Sequence, residues 1–400
     1  MPTPSLLIVP ARFKTGKLYS QIPTSGAGDF TVTRNTAARR FDSAGLVASV
    51  ASGIPRLDYF TSGGVTGCPA LLVEPAGTNI CLQSEDFSTT WVAGQQGTGV
   101  NAAITTNAAI APDGNTTADL IVFNRGAGNT SNDRSTLTQQ PTVVSGTVYT
   151  QSVYLKAATS GDVGKQIGIR NVAQGAALVI TLTANWVRYS KTETAPSNSG
   201  FWQFINIGGS TADNTVSVHA WGAQLETGSV ATSYIPTTAG TGSRSADVIS
   251  VSGAVSGSIG QTEGTIYAEV DIRNVNTNSI ISLGSANDRI SISFISSTSI
   301  FALIRVGGVN ADYNATIPAI PATGGIYKIA LAYKANDYCF AVNGVAYNPS
   351  TASRGVPANM SVVYLGASVF SAAQLNDRIR AAALYTTRLT DAELASLTAP

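Results

Sequence analysis

Charge is what this sequence has least of. Asp, Glu, Lys and Arg make up 12% of its 400 residues, about half the ~25% usual in soluble proteins. The 24 basic and 23 acidic residues leave a formal net charge of +1. That leaves no basic field to hold a nucleic-acid backbone and no polybasic segment to hold a membrane surface. Cysteine is nearly absent. Cys68, Cys81 and Cys339 form no C-x-x-C pair, so there is no zinc signature, and their odd, sparse count argues against a disulfide scaffold. The single histidine, His219, excludes a poly-histidine metal site. Long apolar runs are missing too. Leu6-Leu7-Ile8-Val9 is far shorter than a signal-peptide core or a membrane span. The expectation is a soluble protein, made in the cytoplasm, with little catalytic equipment.

What the chain does have is apolar content of 44% and 39 glycines, with abundant Ser, Thr, Asn and Val. This composition excludes compositional disorder and suits many short strands joined by tight turns. The length suggests two or three domains.

Three regions can be read along the chain. Residues 1–80 are broken by Pro2, Pro4, Pro10, Pro23, Pro55, Pro69 and Pro75 and carry Arg12, Arg34, Arg39, Arg40 and Arg56. Prolines remove ladder donors, so long central strands are not expected here. The segment reads as an arm that docks on something else, either the later domains or a partner surface. Residues 81–238 show alternation at Tyr149–Leu155. Further strands are expected at Thr116–Phe123, Gln166–Asn171, Ala177–Leu182, Trp186–Lys191, Phe201–Ile207 and Thr215–Leu225, as in an antiparallel sandwich or jelly roll. Residues 239–244 are small, polar and Gly-bearing, as linkers are. Residues 245–400 offer eight more strands, from Thr265–Arg273 to Ile379–Tyr385. Asn343-Gly344 marks a type I′ hairpin, and Thr390 with Glu393 forms a capping box for one short closing helix. The fold class is therefore all-β: an irregular N-terminal arm, then two antiparallel β-sandwiches, then one short C-terminal helix.

Several stretches resemble bacteriophage virion proteins. Pro4–Pro10, Gly16–Ser20, Arg34–Arg39, Pro55–Tyr59 and Cys68–Pro75 are similar to the leader of phage head-fibre and tail-fibre proteins, which continues with Thr78-Asn79, Ser84–Phe87 and Trp91. Trp221–Glu226 and Ser233–Thr237 resemble the closing strand of carbohydrate-binding-module jelly rolls. Arg380–Tyr385 and Arg388–Leu394 are similar to the end of concanavalin A-like (laminin-G-like) sandwiches.

The resemblance implies a virion surface protein, assembled as a homotrimer by analogy and docked on a capsid, neck or tail protein through the arginine-bearing arm. It also implies one structural calcium in the jelly roll, for which Glu85, Asp86 and Glu226 are the matching acids. Trp91, Trp186 and Trp221 match core positions, which leaves Trp202. In Phe201–Ile207, the residues Phe201, Gln203, Ile205 and Ile207 share one face and Trp202, Phe204 and Asn206 the other. If the first set is core, Trp202 with Asn206 forms an exposed platform for sugar rings and hydroxyls. The competing reading packs Trp202 under a neighbouring loop or subunit.

Catalysis is poorly provided for. Concanavalin-like glucanases carry Glu-x-Asp-x-x-Glu; here Glu269 and Asp271 match, but Asn274 stands where the second glutamate belongs, and an amide cannot protonate a leaving group. His219 has no G-x-S-x-G serine to serve. The expectation is a non-enzymatic virion surface protein displaying two sandwiches that bind host or environmental glycans weakly. The alternatives are a purely structural decoration protein and, last, a depolymerase.

Overall fold

The computed structural model describes residues 2–59, 68–172, 175–273, 278–296, 299–310, 315–318, 324–350 and 355–400. The described residues are all-β, with antiparallel sheets and one α-helix, Asp391–Leu397. None of their helices is long and apolar enough to cross a membrane.

The chain forms two compact units, and their boundaries differ from the expected ones. One unit is split in sequence, comprising residues 1–45, 49–76 and 245–400. The other is inserted into it, comprising 46–48 and 77–244. Residues 239–244 are not a free linker. Gly242–Arg244 pairs antiparallel with Gly77–Asn79, so the inserted unit is closed where its chain enters and leaves.

In the split unit two sheets enclose a core of Ile, Leu and Val side chains. The expected arm is part of both sheets. Leu6–Ile8 and Ala70–Val73 pair with the closing strand Asp377–Tyr385, with Ile8 opposite Ala382 and Leu71 opposite Ile379. Phe30–Thr33 pairs with Val248–Ser252. The prolines fall between these strands rather than within them, so each strand stays only two to four residues long. Without them Asp377–Tyr385 would present an unpaired apolar edge, a template for aggregation.

Two local expectations hold. Asn343 and Gly344 both have positive φ, 47° and 83°, and join Asp337–Val342 to Val345–Ser350. Glu393 N donates to Thr390 Oγ1 at 3.2 Å while Thr390 N donates to Glu393 Oε2 at 2.8 Å, the reciprocal cap of the helix. That helix buries Leu394 against Ala330, Ala332, Cys339 and Ala341, covering the outer face of one sheet. The small residues on this face are what let a helix lie close to it.

The inserted unit is a sandwich of two five-stranded sheets. The first runs in the order Val92–Gln96, Arg134–Gln139, Trp202–Ile207, Gln166–Arg170, Leu178–Thr181. The second runs Val100–Ala109, Ala118–Asn124, Thr215–Thr227, Val148–Ala157, Val187–Thr194. Between them Trp91, Trp202, Phe87, Phe123 and Phe204 form an aromatic cluster with ring centroids 4.6–6.2 Å apart.

Candidate functional site

Trp202 lies in this cluster. It is 0% exposed, and its indole Nε1 donates to the Gln224 carbonyl of the opposite sheet at 3.2 Å. Asn206 is equally buried, with Nδ2 donating to Asn214 O and Oδ1 accepting from Thr211 Oγ1. The proposed platform is therefore corrected. The two faces of Phe201–Ile207 were assigned the wrong way round, because both carry large apolar side chains. The aromatic volume of Trp202 and Phe204, matched by Trp91 and Phe87, decides which face turns inward. Trp221 is buried on Tyr154 and Tyr234. Trp186, matched to a core position, is half-buried under the Lys156 ammonium.

The face of that strand turned away from the aromatic cluster carries Gln203, Ile205 and Ile207, all buried, and follows Phe201, which is half-buried and lines an open cleft. One row of residues crosses four strands: Val92 lies opposite Thr138, Thr138 opposite Gln203, and Gln203 opposite Arg170. The row below it is Gly94, Thr136, Ile205 and Gly168. At the Val92 end an open cleft of about 440 Å³ is lined by Val92, Gly94, Thr136, Thr138, Gln140 and Phe201 among others; Gln203 and Arg170 lie farther along the first row, outside its lining. This is within the ~300–1,000 Å³ of small-ligand sites. A Cβ on Gly94 would come within 2.8 Å of Thr136 Oγ1, so the glycine keeps the floor low.

The polar groups here are poised for a partner. Gln203 Nε2 donates to Thr138 Oγ1 at 2.9 Å, while its Oε1 is buried and accepts nothing among the described residues. Arg170 is half-buried, its Nε is shielded, and it has no hydrogen bond or ion pair among the described residues. Burial, and then the positive charge of Arg134, lower its pKa. Its Nη atoms stay open to solvent and carry no counter-ion among the described residues, so an oxyanion arriving beside them meets a free bidentate donor. Alternating apolar floor, hydroxyls, amides and guanidinium is the mixture that grips a sugar, whose ring has apolar faces and a polar rim.

The leader arginines are also corrected. Arg34 and Arg56 are buried. Arg34 Nη1 meets Asp247 at 3.0 Å, and Arg56 pairs with both Glu74 and Asp247. Arg40 donates to the Phe41 and Leu57 carbonyls and lies over the Tyr59 ring. Arg12, over Tyr19, is exposed, and Arg39 is half-buried.

The three acids matched to calcium do not form one ligand set. Glu226 is buried and accepts from Thr232 N, Thr232 Oγ1 and Gln224 Nε2; burial raises its pKa. Asp86 is engaged by Ser88 and Thr89 in its own turn. Glu85 accepts from the Tyr234 hydroxyl. Among the described residues no three His, Cys, Asp or Glu side chains cluster as a metal shell. These carboxylates do not fit the ion.

Glu269 is paired with Arg380 at 2.7 Å and Asp271 with Arg273 at 2.9 Å, while Asn274 lies outside the described residues. His219 stands opposite Lys156, its pKa lowered first by burial and then by that ammonium. Sequence reasoning missed Arg170, Gln203 and Gly94. A signal for Gly94 was present, since a glycine inside a strand marks a close approach.

No family model matches the chain, and no curated protein sequence is similar to it. Among solved structures it resembles the CBM40 domain of Ruminococcus gnavus IT-sialidase, at 17% identity over 37% of this chain and 88% of that one, with a TM-score of 0.33. It also resembles domain 4 of AbnA, a GH43 extracellular arabinanase from Geobacillus stearothermophilus solved with arabinotriose, at 15% identity over 42% and 82%, TM-score 0.31. The binding domain of botulinum neurotoxin DC, solved with rat synaptotagmin II, matches at 13% over 38% and 39%, TM-score 0.29. None of the three is named as a phage protein. These likenesses are loose and partial, and one of the three, the CBM40 domain, is by its name a carbohydrate-binding module.

Proposed function

We propose that this protein is a non-enzymatic saccharide-binding protein of a virion surface, and that the groove on the inserted sandwich captures glycans bearing a carboxylate. The observation that carries the saccharide reading is the juxtaposition, on one strand row, of a half-buried Arg170 and a Gln203 Oε1 that have no partner among the described residues. The arginine supplies a bidentate clamp for an oxyanion. Gln203, Thr136 and Thr138 supply hydroxyl partners, and Phe201 an apolar face. With the open cleft, each contact is weak, and repeated copies in an oligomer would add strength through avidity.

The virion location rests on the leader's resemblance to phage fibre proteins. With Arg34 and Arg56 spent inside the split sandwich, the exposed Arg12 and the half-buried Arg39 are the leader arginines we assign to meeting a capsid, neck or tail protein. A homotrimer made in the host cytoplasm remains the assembly we favour.

A glycan array tests the binding half. The intact chain is expected to retain uronate-bearing glycans and lose them on Arg170→Gln and Gln203→Ala. Retention by both variants, or no retention by the parent chain, would leave a purely structural decoration protein. Antibody-gold labelling of intact particles tests the location: label on the head or the tail supports it, and unlabelled particles contradict it.

A further inference from the structure

The split sandwich carries a second surface with the same chemistry. The helix Asp391–Leu397 covers one of its sheets, but the outer face of the other is laid out in hydroxyls. One row runs Thr31, Ser250, Tyr364, Ser282 and Ser291, each directly opposite the next across five strands. The neighbouring row is Ser279, Ser293 and Phe301. The inward residues between them, such as Ile281, Ile290, Ile292 and Ala302, are core. A bulge after Ser279 turns both Ile280 and Ile281 into the core; from Ser282 onward the serines point away from that core, and Ser279, Ser282 and Ser291, only 1–7% exposed, form the floor of a recess rather than an open face. Ser279 and Ser282 hydroxyls are 2.9 Å apart, and Ser293 Oγ donates to Ser279 at 3.4 Å.

Next to the serines stand two arginines. Arg289 and Arg305 are directly opposite each other on adjacent strands. Like charges at such a pair repel, and neither has an ion pair among the described residues. Each is held by a backbone carbonyl instead: Arg289 Nη1 donates to Ala286 O at 2.8 Å, and Arg305 Nε and Nη2 donate to Gly308 O at 3.0 and 2.6 Å. Their direction is thus fixed while their charge is left unmatched. Burial and the charge of Arg305 both lower the Arg289 pKa. Beside them a tight turn, in which Ser371 N donates to Ser368 O at 2.9 Å, holds out Phe370. Its ring is 62% exposed and lies 5.6 Å from the Arg289 guanidinium. Serines, arginine and both phenylalanines enclose a space of about 220 Å³, half the size of the groove on the inserted unit.

We infer that this face is a second saccharide site, specific for a single terminal acidic sugar, independent of the groove at Arg170. The Arg289 guanidinium takes the oxyanion, the ring of Phe370 takes an apolar sugar face, and Ser282 and Ser291 exchange hydrogen bonds with ring hydroxyls. A neutral sugar lacks the group that relieves the arginine pair. A bare anion lacks the ring that Phe370 and the serines fit. The small volume suits one ring rather than a chain.

The test uses the intact chain carrying Arg170→Gln, so that loss of the first groove and loss of this site are read separately. Methyl glucuronide, methyl glucoside and inorganic sulfate are titrated against it, followed by the arginine side-chain Nε–H NMR signals. The expected result is saturable binding of the glucuronide, with movement of the Arg289 and Arg305 signals and no matching effect of the glucoside or of sulfate. Arg289→Gln should weaken it at least about tenfold, as loss of a charge-assisted bond does. Phe370→Ala, on an exposed turn where refolding is not at issue, should weaken it several-fold. Equal binding of the glucoside, equal binding of sulfate, unchanged affinity in Arg289→Gln or Phe370→Ala, or no movement of the arginine signals would each overturn the inference.

Discussion

Arg56 and Asp247, 191 positions apart in sequence, form a buried ion pair inside the split sandwich. Glu74 completes the clamp on Arg56, and Arg34 shares Asp247, so four side chains from three chain segments neutralise one another away from water. Both acids together keep the Arg56 guanidinium firmly protonated despite its full burial. The leader is thus a structural part of the sandwich made by residues 245–400.

Removing one member leaves the others buried and uncompensated. Arg56→Ala or Asp247→Asn is expected to cost about 3–5 kcal/mol, read as a fall in the unfolding midpoint of the split unit. Deleting residues 1–60 should go further. Limited proteolysis of the shortened chain is expected to cut within residues 245–400 while residues 77–244 stay resistant. An intact 245–400 segment after that deletion would restore the docking-arm reading.

Trp202 gives a second prediction. As a core residue packed on Trp91 and Phe204, its truncation to alanine should lower stability by about 3–5 kcal/mol. Glycan binding should be lost only to the extent that the inserted unit unfolds. A variant that keeps its melting temperature and loses binding would return Trp202 to a surface role.

Much of the fold is legible in the sequence, for a physical reason. Strands with one clear apolar face, such as Arg289–Ser296, and turn chemistry such as Asn343-Gly344, announce themselves locally. The leader strands do not, because each is too short to show a period and owes its place to long-range pairing with Asp377–Tyr385 or Val248–Ser252. The candidate groove is the least legible part. Two of its strands, Val92–Gln96 and Arg134–Gln139, are rich in Gly, Gln, Ser and Thr and show no alternation. The third, Trp202–Ile207, is apolar on both faces, so its period is visible but its sense is not.

Arg170 separates binding from stability. Its guanidinium has no partner among the described residues to lose, so Arg170→Gln is expected to leave the thermal midpoint unchanged or slightly raised while abolishing retention of uronate glycans. A marked fall in the midpoint would mean that the arginine serves the fold.

Asp133 sets an acid limit for the same unit. Its carboxylate accepts from Thr130 Oγ1 and N and from Thr98 N and Oγ1. The Thr130 hydroxyl and the backbone amides of Thr98 and Thr130 lead in holding its pKa well below the usual carboxylate range. A depressed folded-state pKa contributes stability above the unfolded value of about 4 and loses it as pH falls below. Urea midpoints of the parent chain should therefore drop between about pH 4 and pH 2 more steeply than those of Asp133→Asn. Parallel curves would contradict the assignment.

The most direct measurement is a crystal structure of the intact chain soaked with trigalacturonate. The expected density is a saccharide lying along the row Val92, Thr138, Gln203 and Arg170, with a carboxylate on the Arg170 guanidinium and a hydroxyl donating to Gln203 Oε1. An empty groove at saturating ligand, or Arg170 paired instead with a carboxylate of its own chain, would contradict saccharide capture by this face.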